Sequence, residues 1–359
     1  MHQSGVRLII SAIIILSLFP SFCGPIFSQG CPVLVGDWAL PATNSDSRHF
    51  SRNSSNANYR WIQFVALEKR IAFLGSYYVD GETLFSEIDI VDISLPTEPC
   101  PLGRIVVNGK IADIAVNDGI AFAAMKDSGL LVFDVTDPAQ PQQIGFYGYE
   151  DSERVESILY DSGMLYLIGS NVLIIDVSDP EAPVLLGRLL GDELDLCMVA
   201  VRVGNYLFIG TYIGWINIID VSDPSAPFLA AQTYTSREGY PVGLASTGDY
   251  LFVGADYLGL VVFDISDPIH PKEILIVWNS RVKHLAIGGH NLYTSDVGLS
   301  IYSIADPCHP HLLNSFPSAY SIDLDLEDDV LILSVSGMDI DLLIFDVDGC
   351  THPRPVGKP

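Results

Sequence analysis

The ten-residue phrase VFDVTDPAQP at 132–141 returns as IIDVSDPEAP at 174–183, IIDVSDPSAP at 218–227 and VFDISDPIHP at 262–271. A chain that repeats one strand-plus-turn at a fixed interval must build like units side by side, so the period limits the fold before any other feature does. Aligning on the residue that ends each apolar run gives Asp92, Asp134, Asp176, Asp220, Asp264, Ser303 and Asp346, in steps of 42, 42, 44, 44, 39 and 43 residues. Periods of about 40–45 residues made of short strands point to propeller blades. A helical solenoid of similar period needs long stretches of 3.6-residue periodicity, and the runs here are short, β-branched or aromatic, and bounded by Gly, Asp, Asn and Pro.

Each unit reads as four antiparallel strands, named a to d from the axis outward. In the fourth unit they are CMVAVRV (197–203), YLFIGTY (206–212), GWINIIDVS (214–222) and PFLAAQT (227–233). Strand c is apolar at nearly every position, as expected where neighbouring blades cover both faces of a sheet. The Asp-Pro pair suits a type I turn: proline presets φ, and the aspartate side chain accepts a backbone N–H two residues on. The second proline (Pro141, Pro183, Pro227, Pro271) opens strand d, where a missing N–H costs little and blocks edge-to-edge pairing.

The L-x-I-[IV]-D-[VI]-S-D-P-x-x-P phrase resembles the LVIVD repeat family of exported bacterial and archaeal proteins. The resemblance covers about residues 31–353 and implies a β-propeller outside the cytoplasm, with no catalytic residue to transfer. Departures from the pattern are Leu95 at the turn aspartate of blade one, Ser303 in blade six, and DVDGCTHP (346–353) in blade seven.

The expected fold is therefore all-β, a seven-bladed β-propeller of four-stranded antiparallel blades. Blade seven ends at its strand c, DLLIFDV (341–347), whereas CPVLVGDWAL (31–40) resembles the strand d APVLLGRLL (182–190). The N-terminal segment is expected to complete the last blade, a clasp similar to that of WD-repeat propellers. This places Cys31 and Cys350 at one end of the closing pair and predicts a disulfide between them, provided that the chain is exported. Export is expected because Arg7 precedes LIISAIIILSLF, too short to span a bilayer, with small residues before Cys31. Residues 1–30 are then a signal peptide, 31–353 one propeller domain and 354–359 a tail. Lipidation is the competing fate of Cys31, which fits poorly because Ser28 stands where an aliphatic residue is wanted. Cys100, Cys197 and Cys308 lie on blades that should not touch, and a buried structural role is the default for them.

The chain carries 18 basic and 44 acidic residues, for a net charge of −26. That field repels the phosphate backbone and anionic lipid surfaces, so nucleic acid is not expected as a partner. An extracytoplasmic monomer is expected, with no stable membrane span once the signal is removed, binding a protein, peptide or glycan. Repeated turns build the bottom face, so variation gathers in the d–a and b–c connections on top. Candidate ligand contacts there are Tyr77, Tyr78, Tyr149, Arg154, Asp192, Glu193, Asp195, Arg237, Tyr240, Trp278, Arg281 and His284. Solvated loops with tyrosines packed on neighbouring blades are the plain alternative. The long polar connection PATNSDSRHFSRNSSNANYR (41–60) reads as a linker or a lid.

No G-x-S-x-G, H-E-x-x-H, P-loop or C-x-x-C-H motif occurs, and no catalytic residue is assigned. No cofactor is implied beyond a Ca²⁺ option at Asp192/Glu193/Asp195 or Glu150/Asp151/Glu153, which lack the D-x-D-x-D-G spacing of a loop-organised site. PCHPH (307–311) groups Cys308, His309 and His311, with no fourth ligand evident in a turn where side chains diverge. A non-enzymatic binding module is the expected function. The alternative is a propeller-hosted hydrolase or lyase with acids at the channel mouth, marked by His, Asp, Glu or Arg converging from several blades.

Overall fold

The structure is a computed structural model that describes residues 33–38, 62–150, 153–191, 194–237, 239–278, 281–335 and 342–347. Residues 1–30, the 41–60 connection, Asp192, Glu193, Cys31 and Cys350 lie outside them, as do the expected disulfide and tail. The chain is a seven-bladed β-propeller. Five consecutive four-stranded sheets open with the innermost strands Ile62–Glu68, Ile111–Asn117, Val155–Asp161, Cys197–Val203 and Tyr240–Thr247. Blade six opens with His284–Gly288. One long strand, His311–Glu327, then serves two blades: its first part pairs with Asn291–Ser303 and its last with Val330–Val335. No helix among the described residues is long and apolar enough to cross a membrane.

The clasp is present. Val33–Trp38 lies antiparallel to Leu342–Asp346, with Val33 opposite Asp346 and Trp38 opposite Leu342, and so supplies strand d of blade seven. Innermost strands touch at every junction, including that of Ile62–Glu68 with His311–Glu327. The core is likewise divided into seven apolar clusters, one between each pair of neighbouring blades. Strand c feeds two clusters at once: Val172–Asp176 buries Ile174 against blade four and Leu173 and Ile175 against blade two. This is why strand c is apolar at consecutive positions rather than alternating.

The repeated phrase performs three local tasks. The first aspartate accepts the N–H two residues on: Asp92 from Ser94 at 2.8 Å, Asp134 from Thr136 at 2.9 Å, Asp176 from Ser178 at 2.8 Å. The second does the same, Asp137 from Ala139 at 3.1 Å and Asp223 from Ser225 at 3.0 Å. The residue after the first aspartate then donates to the a–b turn of its own blade. This bond recurs in all seven blades, from Ile93, Val135, Val177, Val221, Ile265, Ile304 and Val347, at 2.7–2.9 Å. The departures leave the geometry standing. Leu95 still accepts from Glu98 at 2.8 Å as Asp137 does from Gln140, while Ser303 receives the Ala305 N–H only at 3.4 Å.

A further task joins blades. Gly103, Gly145 and Gly187 sit on strands d, and a Cβ there would stand 2.0, 2.3 and 2.3 Å from the carbonyl oxygens of Pro138, Pro180 and Pro224 in the next blade. The proline carbonyl of each turn thus packs onto a bare backbone of the preceding blade. A methyl group at Gly145 forces this contact apart, and Gly145→Ala is expected to cost about 1–3 kcal/mol. A denaturant midpoint equal to wild type would show that the contact is slack.

Candidate functional site

Neighbouring innermost strands do not pair with one another, so backbone N–H groups along their facing edges have no strand to pair with. Carboxylates fill that role. In the seam between blades seven and one, Asp323 accepts from Val65 at 2.9 Å, Asp325 from Leu67 at 2.7 Å and Glu327 from Lys69 at 2.9 Å. Arg70 pairs with Asp329 below them. The rungs end at a turn in which Lys69 and Arg70 both take positive φ, at 50° and 66°, a conformation that side-chain-bearing residues resist. Asp113 bridges blades two and three, accepting from Ile158 and the Ser157 hydroxyl, both at 3.1 Å. Glu68 accepts from Gly119 at 3.0 Å across the junction of blades one and two.

Burial, then the charge of Asp323, pushes the Asp113 carboxyl up to about 7, against the pull of its hydrogen-bond donors. Burial likewise lifts Asp325 to about 6. His284 reaches Asp323 with Nδ1 at 3.2 Å. Acids and a histidine from blades two, six and seven thus converge along the axis, but the oxygens of Asp113, Asp323 and Asp325 already accept backbone N–H groups.

The top rim over blades four to six is different. Of the eight aromatic residues exposed among the described ones, five stand here: Tyr212 (66% exposed), Tyr257 (64%), Trp278 (62%), Tyr234 (61%) and Tyr240 (47%). Tyr212 stacks on Tyr240 at 6.2 Å, and Tyr234 meets the edge of Trp215 at 5.2 Å. The Arg237 guanidinium lies 5.2 Å over the Trp278 ring, and that of Arg281 lies 4.4 Å over Tyr257. These stacks form one strip because they meet at the b–c turn of blade five. Tyr240 pairs across strands with Asp256, and Trp278 with Gly259. Arg281 also stands 3.5 Å from Asp256, whereas the Arg237 guanidinium rests on its ring with no carboxylate of the described residues beside it.

The other candidates are dispersed. Tyr77 lies under Lys110 at 4.8 Å, and Tyr78 stacks on Phe85 at 5.4 Å. The Tyr149 hydroxyl is buried, and burial with Glu153 nearby raises its pKa. Arg154 bonds Glu156 at 3.0 Å. Asp195 takes φ 55° and its carbonyl accepts the Cys197 thiol at 3.6 Å. Among the acids read as a Ca²⁺ option, Glu150 is engaged by Arg188 at 2.8 Å, with Glu153 at 3.5 Å from the same side chain. His309 bonds Asp306 at 2.8 Å and the Cys308 thiol donates to the Tyr250 hydroxyl at 3.2 Å, so this turn keeps its side chains in separate local bonds. Cys100, Cys197 and Cys308 are unpaired, and burial pushes the Cys197 thiol up to about 12. Sequence reasoning passed over Tyr212 and Tyr257. The signal was in the b–c turns TYIGW and DYLG, which hold tyrosines where blade two has KDSG.

Comparison with known proteins agrees with this architecture. The LVIVD repeat model matches residues 108–148, 168–190, 195–235 and 238–278. The unmatched blades one, six and seven are those with altered turns. No curated protein matches the chain. Among solved structures, the chain resembles the Cps50 (Swd1) β-propeller domain of Myceliophteria thermophila (TM-score 0.55, 15% identity, covering 80% of this chain and 100% of that one). It also resembles the Pan2 WD40 domain of Neurospora crassa (0.62, 11%, 89% and 96%) and a chain of the Mitotic Checkpoint Complex (0.63, 11%, 97% and 99%). At such identities the likeness concerns the fold alone.

The axial carboxylates set a pH dependence. A folded-state pKa raised above the unfolded value near 4 favours folding fully below that value, and the benefit is lost as pH rises through the folded pKa. Asp113 and Asp325 therefore lower stability as pH rises from about 4 to about 7, by at most about 4 kcal/mol for a three-unit rise. The turn aspartates Asp92, Asp134, Asp176 and Asp264 have lowered pKa values, chiefly through bonds from the next-but-one Ser or Thr, and titrate below this window. Asn keeps an acceptor oxygen and removes the charge. Asp113→Asn with Asp325→Asn is expected to flatten the fall in denaturation midpoint from about pH 4 to 7. An unchanged slope would contradict this assignment.

Proposed function

We propose that this propeller of LVIVD repeats is an exported, non-enzymatic interaction module that engages its ligand with the top rim of blades four to six. The observation that carries the reading is the contrast between the two ends of the ring. At the bottom, the repeated turns are spent on contacts within and between blades. On top, exposed aromatic rings stand in one strip with two guanidinium groups, that of Arg237 exposed and that of Arg281 half-buried. Export rests on the leader-like segment before Cys31, and an oxidising compartment would let Cys31 pair with Cys350 beside the clasp strand. The channel favours one other reading, a hydrolase or lyase, through Asp113 lifted to about 7 and the His284–Asp323 contact. The hydrogen bonds that occupy these carboxylates favour the binding module.

Two measurements test the proposal. Peptide mapping of secreted protein with and without reductant should show Cys31 linked to Cys350, and a free Cys350 thiol would refute the pairing. Glycan and peptide arrays probed with residues 31–359 should give binders that a Tyr257→Ser/Trp278→Ser variant loses. Binders retained by that variant, or an array with none, would remove the rim as the site.

A further inference from the structure

We infer that the rim strip of blades four to six is a binding site for an anionic polysaccharide, one bearing carboxylate or sulfate groups on the sugar rings. This rests on the reading of the rim as the interaction face and adds the chemical class of the ligand. The strip holds three stacks side by side: Tyr212 on Tyr240, Arg281 on Tyr257, and Arg237 on Trp278. The cross-strand pairs Tyr240–Asp256 and Gly259–Trp278 hold them around a single turn, residues 255–259. Gly239 keeps the approach tight, since a Cβ there would stand 3.0 Å from both Ala255 and Leu258.

Two features select a sugar polymer. First, the rings stand out from the surface at 47–66% exposure instead of lining a recess. Peptide hot spots want pockets in which an anchor is fully desolvated, whereas a flat, open ring suits the C–H face of a pyranose. Second, each guanidinium lies over a ring, and the exposed Arg237 side chain offers its N–H donors to a planar two-oxygen acceptor. Among the described residues Arg237 makes no ion pair, whereas Arg70, Arg104, Arg154, Arg188, Arg202 and Arg281 each do. The site is thus an alternation of apolar ring faces and anion-binding edges, which is the surface pattern of an acidic glycan chain.

Polygalacturonate and dextran sulfate, with dextran as neutral sugar and polyglutamate as anionic peptide, separate the contributions. Affinity electrophoresis of residues 31–359 should show retardation by one or both acidic glycans, with dextran and polyglutamate at least about tenfold weaker. Arg237→Gln, Arg281→Gln and Trp278→Ala should each weaken that retardation by about tenfold. Circular dichroism and denaturant midpoints near wild type would show that these exposed positions leave the fold intact. No retardation by either acidic glycan, equal retardation by polyglutamate or dextran, or indifference to all three substitutions overturns the inference. If array ligands lost on the Tyr257→Ser/Trp278→Ser change prove to be peptides or neutral glycans, the ligand class falls while the rim stands. If no ligand depends on those residues, both fall together.

Discussion

The ring depends on how its innermost strands satisfy backbone groups that no neighbouring strand can reach. Blade sheets splay around an axis, so the inner edge of each first strand faces the next blade at an angle unsuited to a β ladder. Side-chain carboxylates span this gap at the seams between blades seven and one and between blades two and three. At the closing seam, three successive acids on one strand meet three alternate N–H groups of another, Val65, Leu67 and Lys69. The same acids rest against their own backbone, through the N–H groups of Leu324 and Leu326. Asp323 and Asp325 thus hold to their own strand with one oxygen and reach across the seam with the other. The cost of burying such carboxylates appears in the raised pKa values of Asp113 and Asp325.

The two seals of the ring act at opposite radii. On the outside, Val33–Trp38 pairs with Leu342–Asp346 and removes an edge that could recruit another chain. On the inside, the carboxylate rungs tie blade seven to blade one. Between them lies the apolar cluster of Ile62, Leu74, Val91, Ile332 and Ile344. The weakest joint of a propeller is the one at which no covalent connection carries the chain onward. Here it is secured at its rim, in its core and at its axis. A ring sealed in this way fixes the relative positions of blades four, five and six, so the stacks on their top connections are presented on a rigid base.

What could be read from the sequence follows from which features repeat. The Asp-Pro phrase recurs because every blade needs the same turn, so its period disclosed the blade number, and the N-terminal likeness to APVLLGRLL disclosed the clasp. The phrase was read as a turn and an edge guard, and its contact with the preceding blade was missed. Glycines at 103, 145 and 187 recur at 42-residue spacing, but a bare Cα opposite a carbonyl is visible only once two blades are placed side by side. The seam acids were legible in principle: SIDLDLED alternates carboxylates with apolar residues, and period two puts every acid on one face of a strand. Which face that is requires the ring. The rim was half legible, since Arg237, Tyr240, Trp278 and Arg281 came from variable connections. Tyr212 and Tyr257 sit in connections of three and two residues, too short to attract notice as loops.

Net charge weighs against anionic partners at long range, so the inferred ligand has to be held by contacts at the rim. A total of −26 governs the field at long range, hence the encounter of the whole molecule with another charged body. Contact is governed by what lies within a screening length, about 8–10 Å at ordinary ionic strength. The turn carboxylates of Asp92, Asp134, Asp176 and Asp264 stand at the opposite end of the ring from the rim, exposed to solvent and local hydrogen bonds. The axial acids are enclosed among inner strands. Around the two guanidinium groups stand the rings of Trp278 and Tyr257, with Asp256 against Arg281 and the Glu273 carboxylate bonded to the Ser236 N–H beside Arg237. The inferred site therefore requires contacts at the rim to outweigh a field that repels polyanions at a distance.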